Sequence, residues 1–139
     1  MILNTGSRTD IPAFYAEWFV RRLREGFVMA RSPYDSQRIT RYVLDPAVVD
    51  LIVFCTKNPA PLLAYRDALA PFRQFWGVTI TPYGKDVEPE TPPVEAAIES
   101  LAALSRMVGR RAVHWRYDPV FITEKYTLDF HRRAFRRMA

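Results

Sequence analysis

Charged and polar side chains follow the predicted strands of this chain at the points where those strands should end. The stretch VHWRYDPV (113–120) is the clearest case: Arg116 and Asp118 come directly after a short apolar run, and Pro119 ends it. Arginine offers a planar fork for a carboxylate or phosphate, and a nearby aspartate can hold that fork in place. The stretch therefore predicts that Arg116 binds an anion. The alternative is that Arg116 and Asp118 simply pair with each other.

The ends of three other predicted strands have the same character. In parallel α/β folds, functional residues gather at the carboxyl ends of the strands. We therefore expect Arg8, Lys57 and Arg116 to converge on one anionic small molecule or cofactor. Asp10 could hold a cation or simply cap a helix. The candidate ligand-binding residues are Asn4, Arg8, Asp10, Lys57, Asn58, Thr81, Tyr83, Arg116 and Asp118.

Alternating strands and helices must position these residues. The short apolar run from Met1 to Asn4 predicts the first strand. IPAFYAEWFVRRLREG then predicts a helix that is capped by Asp10 and ended by Gly26. FVMARSP and RITRYVL then predict a β-hairpin. Three further strands are predicted in LIVFCTKN, QFWGVTITPYG and RAVHWRYDPVFI, and each is followed by a predicted helix. This order implies parallel strands with right-handed crossovers.

We therefore predict one α/β domain over residues 1–139, made of four βα units with a β-hairpin insert after the first helix. Four such units are half of a TIM-barrel-like (βα)8 fold, and a small open α/β sheet is the alternative. A half-barrel has two open strand edges and an inner face without helices. Such edges tend to recruit partners, so we expect a homo-oligomer.

The composition favours acidic partners. The 139 residues carry a formal net charge of +5, and the pI is about 9.7. Both values favour phosphate, an anionic cofactor or nucleic acid as a ligand. A basic run in the last predicted helix makes nucleic acid an alternative partner, although a solvated helix face is the simpler explanation. The run consists of Arg132, Arg133, Arg136 and Arg137.

Three residues that could ligate a metal or react are scattered along the chain. Cys55 is the only cysteine, which excludes an internal disulfide and fits a reducing compartment. We predict that Cys55 is buried, that His114 is packed or hydrogen-bonded, and that His131 is on the surface; no metal site is expected. With no signal-peptide pattern and no bilayer-length apolar run, a cytoplasmic, non-membrane protein is predicted.

Four motifs carry a resemblance to a known family. ILNTGSRTDIPAFYAEWF, FCTKNP, TITPYGKDVEP and WRYDPVFITEKYT together resemble the DUF1848 family of bacterial and archaeal proteins of unknown function. The resemblance covers essentially the whole chain. It implies a longer parent whose carboxyl-terminal cysteine cluster is similar to those of radical S-adenosylmethionine enzymes. TKNP and WRYDP also look like strand-end motifs of spore photoproduct lyase.

The resemblance implies that this chain is the amino-terminal portion of a barrel-like radical enzyme. Lys57 and Arg116 would then face the carboxylate of the cofactor or the substrate, with Asn4, Arg8 and Asp10 lining the same mouth. An iron–sulfur cluster and S-adenosylmethionine would belong to a full-length parent. This chain is expected to hold no cofactor and to be inactive alone. The alternatives are a barrel enzyme acting on a phosphorylated substrate without a cluster, and a non-catalytic nucleic-acid-binding module.

Overall fold

Four strands form one parallel sheet that runs through the molecule. The structure, a computed structural model, describes all residues 1–139. Strands β1 (Ile2–Asn4), β4 (Leu51–Thr56), β5 (Gln74–Thr79) and β6 (Val113–Arg116) lie side by side in that order. Each neighbouring pair is parallel. The predicted α/β class and parallel strands are therefore confirmed, whereas the half-barrel stays a prediction.

A β-hairpin interrupts the alternation after the first helices, as predicted. Strands β2 (Phe27–Arg31) and β3 (Ile39–Val43) pair antiparallel and form a separate two-stranded sheet. The chain enters the hairpin through Gly26, whose φ of 76° lies in the left-handed region. Glycine adopts this conformation at little cost, so the helix before it ends there.

The helices are more broken than the sequence predicts. The bounds are α1 (Ile11–Phe14), α2 (Ala16–Glu25), α3 (Ala60–Leu63), α4 (Arg66–Leu69), α5 (Val94–Val108) and α6 (Leu128–Met138), with a 3-10 turn at Arg110–Ala112. The first predicted helix breaks at Tyr15, and the second becomes two single turns on either side of Tyr65. Neither break contains glycine or proline, so no local signal marked it. No helix has the length and apolar character needed to cross a bilayer.

The hydrophobic core lies on one face of the sheet, beneath the helices. Ile52 and Phe54 of β4 and Trp76 and Val78 of β5 are fully buried there. The Phe54 and Trp76 rings stack with centroids 4.1 Å apart. Burying one such side chain contributes roughly 1.5–3 kcal/mol, so this face supplies much of the folding free energy.

The opposite face of the sheet carries no helix, and we call it the open face. Side chains alternate along a strand, so Val53, Cys55, Phe75 and His114 point to this side. Cys55 and His114 are exposed, and the His114 side chain makes no hydrogen bond. The predictions that Cys55 is buried and that His114 is packed or hydrogen-bonded are therefore wrong. An uninterrupted apolar run does not reveal which alternate residues face the helices.

Candidate functional site

The carboxyl ends of the four parallel strands form one edge of the sheet, which we call the rim. Four loops leave it: residues 5–10, 57–59, 80–93 and 117–127. All nine residues predicted to bind a ligand lie in these loops or at the strand ends that lead into them. The topology therefore gathers the predicted residues at one edge, and their individual contacts decide what each can do.

Lys57 belongs to a partly buried hydrogen-bond network rather than standing free. Its Nζ lies 2.6 Å from Glu88 Oε1 and 3.3 Å from Thr81 Oγ1. The Thr81 hydroxyl donates to Glu88 Oε2 at 2.9 Å, so all three side chains are linked. Sequence reasoning missed Glu88, which lies in the polar, proline-rich loop after Thr81. The ion pair with Glu88 neutralises much of the positive charge that Lys57 would offer an anion.

Asp10 holds the backbone of two loops together. One carboxylate oxygen accepts the Ala13 N–H at 3.0 Å and so caps α1. The other accepts the Lys57 N–H at 2.9 Å, which ties the loop after β1 to the end of β4. The helix-cap alternative for Asp10 is therefore what the structure shows, with a cross-strand tie added. Both oxygens are engaged by the protein itself.

The two predicted asparagines also bind backbone within their own loops. Asn4 Oδ1 accepts the Gly6 N–H at 2.9 Å. Asn58 Oδ1 accepts the Ala60 N–H at 3.3 Å at the start of α3. These contacts shape the loops, and they leave the amide nitrogens of both side chains without a hydrogen-bond partner in the protein.

The loop after β1 crosses the open face at very close range. A Cβ atom added to Gly6 would lie only 2.8 Å from the Cys55 Cβ, closer than real contacts allow. A residue without a side chain is needed at this crossing because the two backbones approach so nearly. The TGSRT segment thus forms the part of the rim that borders the open face.

Arg116 is the rim arginine that keeps both terminal nitrogens of its guanidinium available. Its Nε donates to Thr79 Oγ1 at 3.1 Å, and Asp118 Oδ2 lies 3.8 Å away. Neither terminal nitrogen of the guanidinium has a hydrogen-bond partner, and the side chain is 57% exposed. Arg8, in contrast, donates from Nη2 to the Arg31 carbonyl at 2.8 Å, so it reaches toward the hairpin.

Tyr83 supports the loop that follows β6. Its hydroxyl donates to the Pro119 carbonyl at 2.7 Å and accepts the Phe121 N–H at 3.2 Å. Its ring stacks on Phe121 with centroids 4.4 Å apart. Burial raises the pKa of Tyr83 above its ordinary value, which keeps the phenol protonated. The Asp118–Pro119 peptide bond in this loop is cis.

His131 is buried beside the same loop, so its predicted surface position is wrong. A carbonyl oxygen can only accept a hydrogen bond, so His131 Nε2 carries a proton and donates it to the Phe121 oxygen at 3.0 Å. In the neutral ring, Nδ1 then accepts from the Tyr117 hydroxyl at 2.8 Å. Burial also raises the pKa of Tyr117. The His131 ring contacts the rings of Tyr83, Tyr117 and Phe130, so this position of a basic helix packs inward.

The basic run of the last helix is partly neutralised. Arg137 forms an ion pair with Glu95 of α5, and Arg132 pairs with Asp129 at 3.3 Å. Arg133 and Arg136 make no ion pair. Half of the predicted cations on this helix therefore already have acidic partners, which weakens the case for α6 as a nucleic-acid surface.

The residues present do not fit the iron–sulfur cluster that the resemblance implies. Iron–sulfur clusters are held by several cysteine thiolates, and this chain carries only Cys55. No group of three or more histidine, cysteine, aspartate or glutamate side chains is placed to hold a metal ion. The rim residues themselves offer charges and hydrogen-bond donors and acceptors.

Comparisons with known proteins agree with the motifs. A family model described as a domain of unknown function, DUF1848, matches residues 2–139. No curated protein and no solved structure matches the chain. Because the family match spans nearly every residue, the chain belongs to the DUF1848 family.

Proposed function

We propose that the rim binds an anionic small molecule or cofactor, with Arg116 as its main contact. The observation that carries this proposal is the state of the Arg116 guanidinium. Thr79 fixes its Nε, while both terminal nitrogens point to no protein partner. A fixed fork with two free donors matches the oxygens of a carboxylate or phosphate.

The other predicted residues contribute less directly to this site. Lys57 shares its charge with Glu88, so it would strengthen anion binding only by moving away from that carboxylate. Asp10 and Tyr83 hold the loops in place through their backbone contacts. We therefore assign Arg116 to binding and these residues to positioning the rim.

The Arg116 guanidinium can bind the oxygens of either a phosphate or a carboxylate, and a titration can tell these two kinds of ligand apart. A phosphorylated small molecule and an amino-acid carboxylate, such as that of an S-adenosylmethionine-type cofactor, present similar oxygens. Calorimetric titration with inorganic phosphate and, separately, with S-adenosylmethionine distinguishes them. Binding of the first alone favours a phosphorylated ligand, and binding of the second alone favours the cofactor class.

The test of the site is the Arg116→Gln variant in the same titrations. We expect affinity to fall about tenfold or more, because a charge-assisted hydrogen bond contributes roughly 1.5–3 kcal/mol. Arg66→Gln is the matched control, since Arg66 lies on α4 before β5 begins and is largely exposed. Equal losses in both variants, or no loss in Arg116→Gln, would contradict the proposal.

We also propose that the open face associates with a second copy of the chain, as one arc of a barrel-like enclosure. Ile2 is 66% exposed and Phe75 is 37% exposed, although both are large apolar residues on this face. The strand residues that point there include no acidic side chain. Leu51 and Val53 of β4 lie between those two apolar residues, because Ile2 pairs with Leu51 and Phe75 pairs with Val53. Exposed apolar surface marks interaction sites, and a two-fold axis would let the same patch cover itself.

A further inference from the structure

One face of the β2–β3 hairpin is turned away from the hydrophobic core. Directly paired residues of an antiparallel hairpin share a face. Val28 packs against the core, so its side of the hairpin is turned inward. The opposite, outward face carries Met29 at 53% and Ile39 at 51% exposure. The paired residues on the outward face are Phe27 with Val43, Met29 with Arg41, and Arg31 with Ile39.

The charges of the hairpin are nearly all positive. Residues 27–43 contain three arginines, Arg31, Arg38 and Arg41, and one acidic residue, Asp35. Asp35 is occupied within the turn, where its Oδ1 accepts the Gln37 N–H at 3.0 Å. The outward face itself contains two arginines and no acidic residue. Its charge complements a polyanion.

Flat groups accompany these charges. The Tyr34 side chain is 97% exposed at the tip of the hairpin. The tip is structured, because Ser32 Oγ accepts the N–H groups of Tyr34 and Asp35, each at 3.2 Å. The Arg41 guanidinium lies over the Phe27 ring, 4.4 Å from its centroid. A hydrogen-bonded turn thus places the Tyr34 ring in solvent, and the Phe27 ring supports the Arg41 guanidinium on the outward face.

We propose that the outward face and tip of this hairpin bind single-stranded nucleic acid. Bases would stack on Tyr34 and on the Arg41 guanidinium, while Arg31 and Arg38 contact phosphates. Exposed aromatic rings interleaved with cations are how proteins bind single strands, because every base has a face that can stack. An acidic protein segment would use the arginines but would not need a fully exposed ring. The proposal is independent of the small-molecule site, since it shares no residue with Arg116 and its support.

Fluorescence anisotropy of a labelled oligo(dT) strand tests the proposal with the full chain. We expect binding that weakens with salt, with a slope near −1.4 for the two proposed phosphate contacts at roughly 0.7 each. Tyr34→Ala should weaken binding about tenfold or more, in line with the loss of one stacked base. Arg38→Gln should make the salt slope shallower by about 0.7. The melting temperature of each variant, expected to be unchanged at such exposed positions, verifies folding.

Two comparisons make the experiment decisive. The matched control is Arg133→Gln together with Arg136→Gln, which removes the unpaired cations of α6 and should leave oligo(dT) affinity within about twofold. Loss of binding in this control, unchanged affinity in Tyr34→Ala, or no binding by the wild type would overturn the proposal. Equal competition by an oligoglutamate peptide would also overturn it, and would indicate an acidic protein partner instead.

Discussion

Lys57 Nζ and Glu88 Oε1 lie 2.6 Å apart although the two residues are separated by 31 positions in the chain. The contact joins the end of β4 to the loop that follows β5, across the rim. The Glu88 side chain is only 13% exposed, so its carboxylate has little access to water. A carboxylate in that position needs a partner, and Lys57 and Thr81 provide it.

Replacing one member of the Lys57–Glu88 pair should lower the free energy of unfolding more than replacing both. We expect Lys57→Met to lower the free energy of unfolding by about 1–2 kcal/mol, because it leaves a largely buried carboxylate unpaired. Glu88→Gln added to it should restore part of that loss. Urea unfolding of the wild type, both single variants and the double variant gives the coupling energy. Strict additivity of the two single effects would show that the pair is not coupled.

Asp10 should matter for stability rather than for anion affinity. Asp10→Ala removes the α1 cap and the acceptor of the Lys57 N–H, so we expect a loss of about 1–3 kcal/mol in urea unfolding. Asp67→Ala, at a fully exposed carboxylate, is the control and should change stability by less than about 0.5 kcal/mol. Anion affinity of folded Asp10→Ala should fall less than that of Arg116→Gln, because Asp10 holds the loops and does not itself bind the anion. If Asp10→Ala lost anion affinity while its stability stayed unchanged, Asp10 would instead belong to the binding site.

Stability should decline in alkaline solution because of two phenols, of which Tyr83 is buried and Tyr117 is half-buried. Burial raises the pKa of Tyr83 and Tyr117 in the folded state, while in the unfolded state both ionise near pH 10. Below pH 10 both states keep these protons, so the contribution is fully present. Above it the unfolded chain binds fewer protons, and stability falls as pH rises through the folded-state pKa values.

Urea midpoints measured from about pH 8 to pH 11 check this expectation. The double variant Tyr83→Phe, Tyr117→Phe should show a shallower alkaline decline than the wild type, whatever its stability at neutral pH. Tyr34→Phe, at an exposed position, should leave the slope of the wild type unchanged. Equal slopes in the wild type and the double variant would refute the assignment to these phenols.

The open face should control self-association. We expect sedimentation velocity at micromolar concentration to show a dimer or larger assembly in the wild type. Phe75→Glu should shift it to monomer, because a carboxylate buried in an apolar contact is strongly unfavourable. Ile122→Glu places the same charge on an exposed apolar residue outside the sheet and should leave the assembly intact. A wild-type monomer, or equal dissociation in both variants, would rule out this role for the face.

The sequence alone was sufficient for the order of elements and the edge at which polar residues gather. Apolar runs that alternate with helical segments required parallel strands, and parallel strands place Arg8, Lys57 and Arg116 after the same edge. Proline, glycine and capping residues marked the hairpin entry at Gly26 and the start of α1 at Asp10. These signals are local, so they can be read without the tertiary structure.

Only the tertiary structure decided which of those polar residues are free. Glu88 reaches Lys57 from a loop whose path depends on packing, and no spacing in the chain predicts that 2.6 Å contact. The same holds for Cys55 and His114, whose exposure depends on the phase of each strand against the helices. His131 is buried because aromatic residues from two distant segments meet around it. Burial and pairing are properties of long-range contacts, so they emerge only when the chain is folded.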